Sequence, residues 1–226
     1  MKRSQINALI DQAVEFLRGQ KFALPPFAFW SPHHWQNTGH EADEIRRNML
    51  GWDLTDFGSG DFAARGLLLF TLRNGDIDDP SDKTYAEKVM IVHPGQVTPM
   101  HYHFNKTEDI INRGGGHLVC QLYHATSDEQ LDRTAPVTVS TDGVTRALTA
   151  GDQLVLTSGE SVTLPPRLYH SFWGQPECGA VLVGEVSKVN DDRTDNRFLE
   201  EVGRFPEIDE DEPAKYLLCN EYPPAA

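Results

Sequence analysis

An all-β fold, a sandwich or barrel with helices at its front, is what this sequence predicts, and three observations carry it. From "RGLLLFTLRNG" onward, short apolar runs alternate with turn residues such as Asn74-Gly75, Pro94-Gly95, Asp142-Gly143 and Gly151-Asp152. Helical periodicity is confined to the beginning of the chain. The length, 226 residues, suffices to bury one sizeable core. One domain over residues 1–226 is therefore expected, with a helical and aromatic arm over about 1–64.

Taken in order, "SQINALIDQAVEFLRGQ" places Ile6, Leu9, Ile10, Ala13, Val14 and Leu17 at helical spacing, with Ser4 as the expected N-cap and Gly19 as the expected stop. An amphipathic helix of this kind is expected to cover a sheet. "FALPPFAFWSPHHW" breaks the helix at Pro25, Pro26 and Pro32 and reads as an extended arm rich in aromatics, among them Phe27, Phe29, Trp30 and Trp35. "HEADEIRRNML" predicts a second, short helix. Strands follow, and the stretch from Gly116 to Ser158 is long enough for extra strands or a long loop. The acidic "EIDEDEP" near the end reads as a solvated loop.

Charge narrows the function. Lys+Arg 20 against Asp+Glu 34 gives a formal charge of -14, a surface that repels phosphate backbones and anionic lipid. No nucleic-acid or membrane partner is expected, and a small, neutral, polar substrate suits the balance better. No apolar run approaches the roughly 18 residues of a membrane span, and "MKRSQINALIDQAVEFL" lacks a signal-peptide core. Cys120, Cys178 and Cys219 are odd in number and scattered, which predicts no disulfide framework and a cytoplasmic protein.

The stretch "PGQVTPMHYHFNKTEDIINRGGG" carries the chemistry. Side chains alternate faces along a strand, so His101 and His103 point the same way, about 7 Å apart along the backbone. Glu108 can return to them from the next turn or strand. Two imidazoles and a carboxylate suit a divalent transition metal that keeps positions open for substrate; the alternative is a pair of histidines on a solvated strand. Glu185 interrupts the apolar strand "AVLVGEVSKVN", either buried against a metal or cation or exposed at the strand end. Lys88 shares a face with Met90 and Val92, so it lies wholly inside or wholly outside; inside, its ammonium would meet substrate oxygens. "VNDDRTDNRF" crowds Asn190, Asp191, Asp192, Arg193, Asp195, Asn196 and Arg197 after that strand, with Asp195 and Arg197 as pocket candidates and Glu200 behind them.

The spacing Gly95-x5-His101-x-His103-x4-Glu108-x6-Gly115 resembles the first motif of the cupins. "GESVTLPPRLYHSFWG" is similar to their second motif, which implies His170 as a fourth ligand. Arg167 stands where these proteins usually carry glycine and Gly174 where they carry asparagine, so the turn before His170 is expected to differ. Beyond these motifs, "MKRSQINALI", "FALPPFAFW", "GEVSKVNDDRTDNRF" and "FPEIDEDEPAKYLLCNEYP" resemble the D-lyxose isomerases, metal-dependent cupins of about this length. The resemblance implies a cupin jelly-roll barrel with helices outside it. It also implies interconversion of D-lyxose with D-xylulose and of D-mannose with D-fructose, with Mn2+ as the usual metal. The donor set equally accepts Fe, Co, Ni or Zn.

Such a reaction needs a carboxylate to carry a proton across a cis-enediol, and Glu108, Glu185 and Glu200 are the candidates. Lys88 would neutralise charge on oxygen. Phe29 and Trp30 would either pack on the sugar's C–H face or fill core between arm and barrel. Exposed barrel edges and an added arm lead to the expectation of a homodimer. Two other readings of the same donors stay open: an Fe-dependent cupin dioxygenase and a non-catalytic sugar-binding cupin.

Overall fold

The computed structural model describes residues 1–79, 81–191 and 194–226. Asp192 and Arg193, from the polar stretch singled out above, lie outside the described residues. Helix α1 (Arg3–Gly19) leads through a turn of 3-10 helix (Pro26–Phe29) and the short helices α2 (Pro32–Gln36) and α3 (Asp43–Arg47) into strands β1 (Gly51–Thr55), β2 (Leu67–Arg73), β3 (Tyr85–Val92), β4 (Thr98–His103) and β5 (Glu108–Gly115). Strands β6 (Leu118–Ala125), β7 (Leu131–Asp132), β8 (Val137–Thr141), β9 (Val144–Leu148) and β10 (Gln153–Leu156) fill the connection between the two histidine motifs. The chain then runs through β11 (Ser161–Leu164), β12 (Leu168–Gly174), β13 (Val181–Lys188) and β14 (Asn196–Phe198).

Two antiparallel sheets face each other as a cupin jelly roll. The larger runs β1-β2-β3-β13-β5-β11-β8-β9 and the smaller β10-β6-β12-β4-β14, with β7 beside β6. Their shared interior is apolar, built from residues such as Met90, Ile110, Leu122, Val162, Phe172 and Val183. The runs "GLLLF", "VMIV" and "AVLV" are continuous rather than alternating because the larger sheet is covered on both faces. Its outer face carries Leu68, Phe70, Val89, Ile91 and Leu182, which pack against Ile6, Ile10, Ala13 and Leu17 of α1. Each of the three large aliphatic side chains buried from α1 contributes on the order of 1.5–3 kcal/mol.

The ends of α1 differ from expectation. Ser4 is not the cap, since the helix already begins at Arg3 and the Ser4 hydroxyl donates to Asp211 Oδ2 at 2.7 Å. At the other end Lys21, not Gly19, takes the left-handed conformation, φ 58°. The acidic segment read as a solvated loop is instead a clasp on α1. The Glu207 backbone carbonyl accepts from the N-terminal amine, the Glu210 carboxylate from Arg3 and the Glu212 carboxylate from Asn7. Acidic side chains gather there because Asp211 takes the Ser4 N–H in the first turn, at the positive end of the helix dipole, and Glu210 takes the buried Arg3 guanidinium.

The turn before β12 keeps a glycine-like backbone although it holds an arginine. Arg167 has φ 63°, donates its N–H to His103 O at 2.9 Å, and sets its guanidinium over the Tyr102 ring at 5.3 Å. At the far end of β12, a Cβ on Gly174 would stand 2.7 Å from His93 O and 2.8 Å from the carbonyl carbon. Backbone pressed that closely leaves no room for the usual asparagine.

Candidate metal centre and active site

Strands β4 and β12 pair antiparallel with His101 opposite His170, and the register slips before Phe172, which pairs with Thr98. A bulge of this kind re-aims side chains at one end of a barrel. His101, His103 and His170 are all buried, and each offers a ring nitrogen within 4.8 Å of the others'. His101 Nδ1 donates to Pro99 O at 2.7 Å, and His170 Nδ1 donates to Leu168 O at 2.9 Å. A carbonyl can only accept, so both rings carry their proton on Nδ1 and turn an Nε2 lone pair inward. Burial, then the neighbouring His170 and His103, holds the His101 imidazole well below its ordinary pKa and therefore neutral.

Glu108 opens β5 and aims the same way. Its Oε1 lies 3.0 Å from His170 Nε2 and 3.3 Å from His103 Nε2. His170 Nε2 is buried with no hydrogen-bond partner. A carboxylate oxygen and an imidazole lone pair at this separation repel one another unless a cation sits among them. That is the test of fit for a metal, and the residues meet it: three histidine nitrogens cluster within 4.8 Å, and the Glu108 carboxylate lies against two of them.

The charge balance behind this point rests on a residue the sequence reading missed. Lys106, in the β4–β5 turn, is 2 % exposed and places Nζ 2.8 Å from Glu108 Oε2, 2.9 Å from Glu185 Oε1 and 3.1 Å from Asn190 Oδ1. Burial alone would raise the Glu108 carboxyl, but the Lys106 ammonium outweighs it and holds the group well below the usual carboxylate range. Burial likewise opposes ionisation of Glu185, and the charges of Lys106 and Lys88 overcome it. Burial would also lower Lys106; Glu108 and Glu185 together push it up instead. The sequence signal for Lys106 is its position two residues before Glu108, inside the histidine motif.

The structure brings some predicted site residues together and leaves others apart. Lys88 lies inside, opposite Thr71 and Glu185 on the neighbouring strands, with Nζ 2.8 Å from Asn190 Oδ1. Glu185 is buried beside it. Both border a cavity of about 730 Å³ that is also lined by His101, His103 and Glu108. Glu200 does not join them: its side chain is 70 % exposed and pairs with Arg65 outside the cavity. Asp195 is buried but serves the loop, accepting from the backbone N–H groups of Asn105 and Lys106 at 2.7 and 3.0 Å. That carboxylate fixes the turn that presents Lys106.

Arg197 has the wrong strand parity. It donates to Glu129 Oε2 at 2.8 Å, while its neighbours Asn196 and Phe198 face the cavity. Phe29 and Trp30 stay in the arm, Phe29 edge-on to Tyr216 and Trp30 stacked on His34 at 4.4 Å. The arm therefore fills the space between α1, the C-terminal clasp and the outer sheet face. The cavity wall is completed by Val202–Phe205, where Arg204 pairs with Asp53 and Gly203 N–H donates to Phe57 O at 3.0 Å. Asp53 and this wall were also missed, because they meet only across the barrel seam.

Comparison with known proteins identifies the family. The chain is 53% identical over 224 residues to a D-lyxose/D-mannose isomerase of Escherichia coli O157:H7, covering 98% of each. It is 50% identical to a D-lyxose/D-mannose isomerase of Serratia proteamaculans, again over 98% of both chains. Among solved structures it is similar to an L-ribose isomerase of Cellulomonas parahominis, with a TM-score of 0.60 at 15% identity, covering 89% of this chain and 93% of that one. An L-ribose isomerase of Acinetobacter sp. DL28 gives a TM-score of 0.62 at 14% identity, covering 92% and 98%. These last two speak for the fold. The model of the D-lyxose isomerase family matches residues 1–222, and with relatives at half identity over nearly their whole length, the chain belongs to the D-lyxose isomerase family of sugar isomerases.

Proposed function

We propose that the chain interconverts D-lyxose with D-xylulose, and D-mannose with D-fructose, at a divalent cation, Mn2+ in the first instance, held by His101, His103, Glu108 and His170. The observation that carries this is the three-histidine cluster with Glu108 Oε1 against His103 and His170, bordering a cavity that is also lined by a second ionised carboxylate, Glu185. The names of the relatives point the same way.

Aldose–ketose isomerisation moves one hydrogen between C2 and C1 of the open-chain sugar while a proton passes between O2 and O1. A divalent cation in this position would supply Lewis-acid polarisation of the carbonyl and neutralise charge on the two adjacent oxygens. Glu185 is the proton carrier. Its Oε1 faces Lys106, Lys88 and the Ser187 hydroxyl, while Oε2 makes none of these contacts and is left for the sugar. Being ionised at rest, it starts as a base, takes the C2 proton of the aldose and returns it to C1 across one face of the cis-enediol. Lys88 has three donors and two protein partners, Asn190 and Glu185. Its remaining N–H serves a sugar oxygen as negative charge develops there.

D-mannose is D-lyxose lengthened by one CH2OH at the far end, with the same configuration from C2 to C4. A cavity of about 730 Å³ leaves room for that extension. The test strips metal with a chelator, restores Mn2+, Fe2+, Co2+, Ni2+ and Zn2+ singly, and assays D-lyxose, D-mannose and D-xylose for ketose. Oxygen-independent ketose formation separates an isomerase from a dioxygenase and from a passive sugar binder. Aldose deuterated at C2 and turned over in ordinary water should lose label; full retention over many turnovers would mean a hydride shift instead.

A further inference from the structure

Lys106 is the most enclosed cation of the site, and its three donors meet three protein acceptors: Glu108 Oε2, Glu185 Oε1 and Asn190 Oδ1. Saturated in this way, it has no N–H to offer a sugar. Lys88 differs in having only two of these acceptors, Asn190 and Glu185. The two lysines thus have different work, although both touch Glu185.

What Lys106 does follows from where it stands. Two ionised glutamates flank one nitrogen, each through a single oxygen. The engaged oxygen of Glu108 is Oε2, which leaves Oε1 facing His103 and His170. On Glu185 the engaged oxygen is Oε1, which leaves Oε2 away from the contact. Without an ammonium between them, a second carboxylate lining the same cavity would be free to turn to a divalent cation as a ligand, since carboxylate oxygens suit the same ions. A glutamate captured that way is no longer a base.

We propose that Lys106 is a positioning residue that keeps the two glutamates in separate roles, holding Glu185 away from the metal so that it stays a proton carrier. This rests on the isomerase reading of the same site. The Asp195 carboxylate is the anchor of the device, because it grips the backbone N–H groups of Asn105 and Lys106 and so aims the lysine inward.

The charge and packing of Lys106 make opposite demands on metal affinity, and this separates a positioning role from a merely structural one. Removing a structural support would weaken metal binding and turnover together. Removing the separator should leave Mn2+ bound at least as tightly, because a positive charge is gone and a second carboxylate is released, while turnover collapses.

The experiment compares wild type, Lys106→Met, Glu185→Gln and the double variant as Mn2+-loaded enzymes with D-lyxose, and titrates Mn2+ against a competing chelator. In Lys106→Met, kcat should fall by about a hundredfold or more, with KM within about threefold and Mn2+ affinity undiminished. Because Lys106 acts through Glu185, the double variant should be no slower than Glu185→Gln alone. The double variant also removes one charge of each sign, so it gives a readout if Lys106→Met alone does not fold. Multiplying losses in the double variant, Mn2+ affinity falling in step with kcat, or near-normal kcat in Lys106→Met would each overturn the proposal. Wild-type turnover of D-lyxose in the same assay tests the underlying isomerase reading separately.

Discussion

Lys88 and Glu185 are direct cross-strand partners on β3 and β13, with Nζ 3.4 Å from Oε1, and both are almost wholly buried. Two opposite charges placed on the inner face of an otherwise apolar barrel cost more than they return in stability, which points to chemistry as their purpose. Lys88→Met should lower kcat for D-lyxose by about a hundredfold, the loss typical of one oxyanion donor. The fold should survive, because Lys106 still pairs with Glu185. Lys88→Arg should not restore the rate, since a planar guanidinium cannot occupy the site of a compact ammonium. Steady-state kinetics alongside thermal melts decide it; an unchanged kcat in Lys88→Met would remove Lys88 from the mechanism.

Metal binding should also register as stability. The three histidines and Glu108 are assembled in the folded chain alone, so a bound ion stabilises it by about 2.7 kcal/mol when present at 100 times its Kd. For a chain of this length that is a rise in Tm of roughly 5–10 °C. His101→Ala should lose both this metal-dependent shift and turnover. A shift of equal size in the variant would mean that the ion binds elsewhere.

The parts of this site that were legible in the sequence are those set by strand parity and short spacing. His101, His103 and Glu108 lie within one hairpin, and Lys88 shares its face with Met90, so period two sufficed. Glu185 was legible as a charge that interrupts an apolar run. The facing of Arg197 was not legible because "TDNRF" has no apolar alternation from which parity can be read, and Asn196 and Phe198 are the residues of this strand that line the cavity. Asp195 and Glu200 engage other partners because a loop carboxylate has nearby backbone N–H groups and surface cations competing for it. The barrel and helix α1 were legible from periodicity. The clasp of 207–213 on that helix was not, because it pairs residues about two hundred positions apart.

Arg167 is a case in which the sequence and the backbone pull against each other. An arginine held at φ 63° carries strain of about 1–2 kcal/mol that glycine would not, and its guanidinium over Tyr102 returns about 0.5–1 kcal/mol. Arg167→Gly should therefore change the unfolding free energy by less than about 1 kcal/mol. Arg167→Val loses the ring contact and adds a β-branched side chain in the left-handed region, so it should destabilise by about 1–3 kcal/mol. Urea unfolding of the three proteins gives the order; a large loss in Arg167→Gly would mean that the guanidinium matters more than the turn.

The clasp on α1 should make stability fall in acid. Arg3 is buried and takes both Glu210 and Glu221, and the hydrogen bond from Arg3 holds the Glu210 carboxyl below its ordinary 4.5. The N–H and hydroxyl of Ser4 do the same for Asp211, below its ordinary 3.8. A depressed carboxyl stabilises the fold above its unfolded-state pKa, and that contribution is lost as pH falls through the folded value. The clasp is therefore at full strength at neutral pH and weakens from about pH 4.5 downward. Arg3→Met should cost roughly 2 kcal/mol at pH 7, discounted from the loss expected for a fully buried pair because Glu210 can turn to water. The variant should show a shallower decline in acid than wild type. Hydrogen exchange across residues 3–7 and 207–213 as pH is lowered measures it, and parallel pH profiles in the two proteins would show that the arginine does not set the titration.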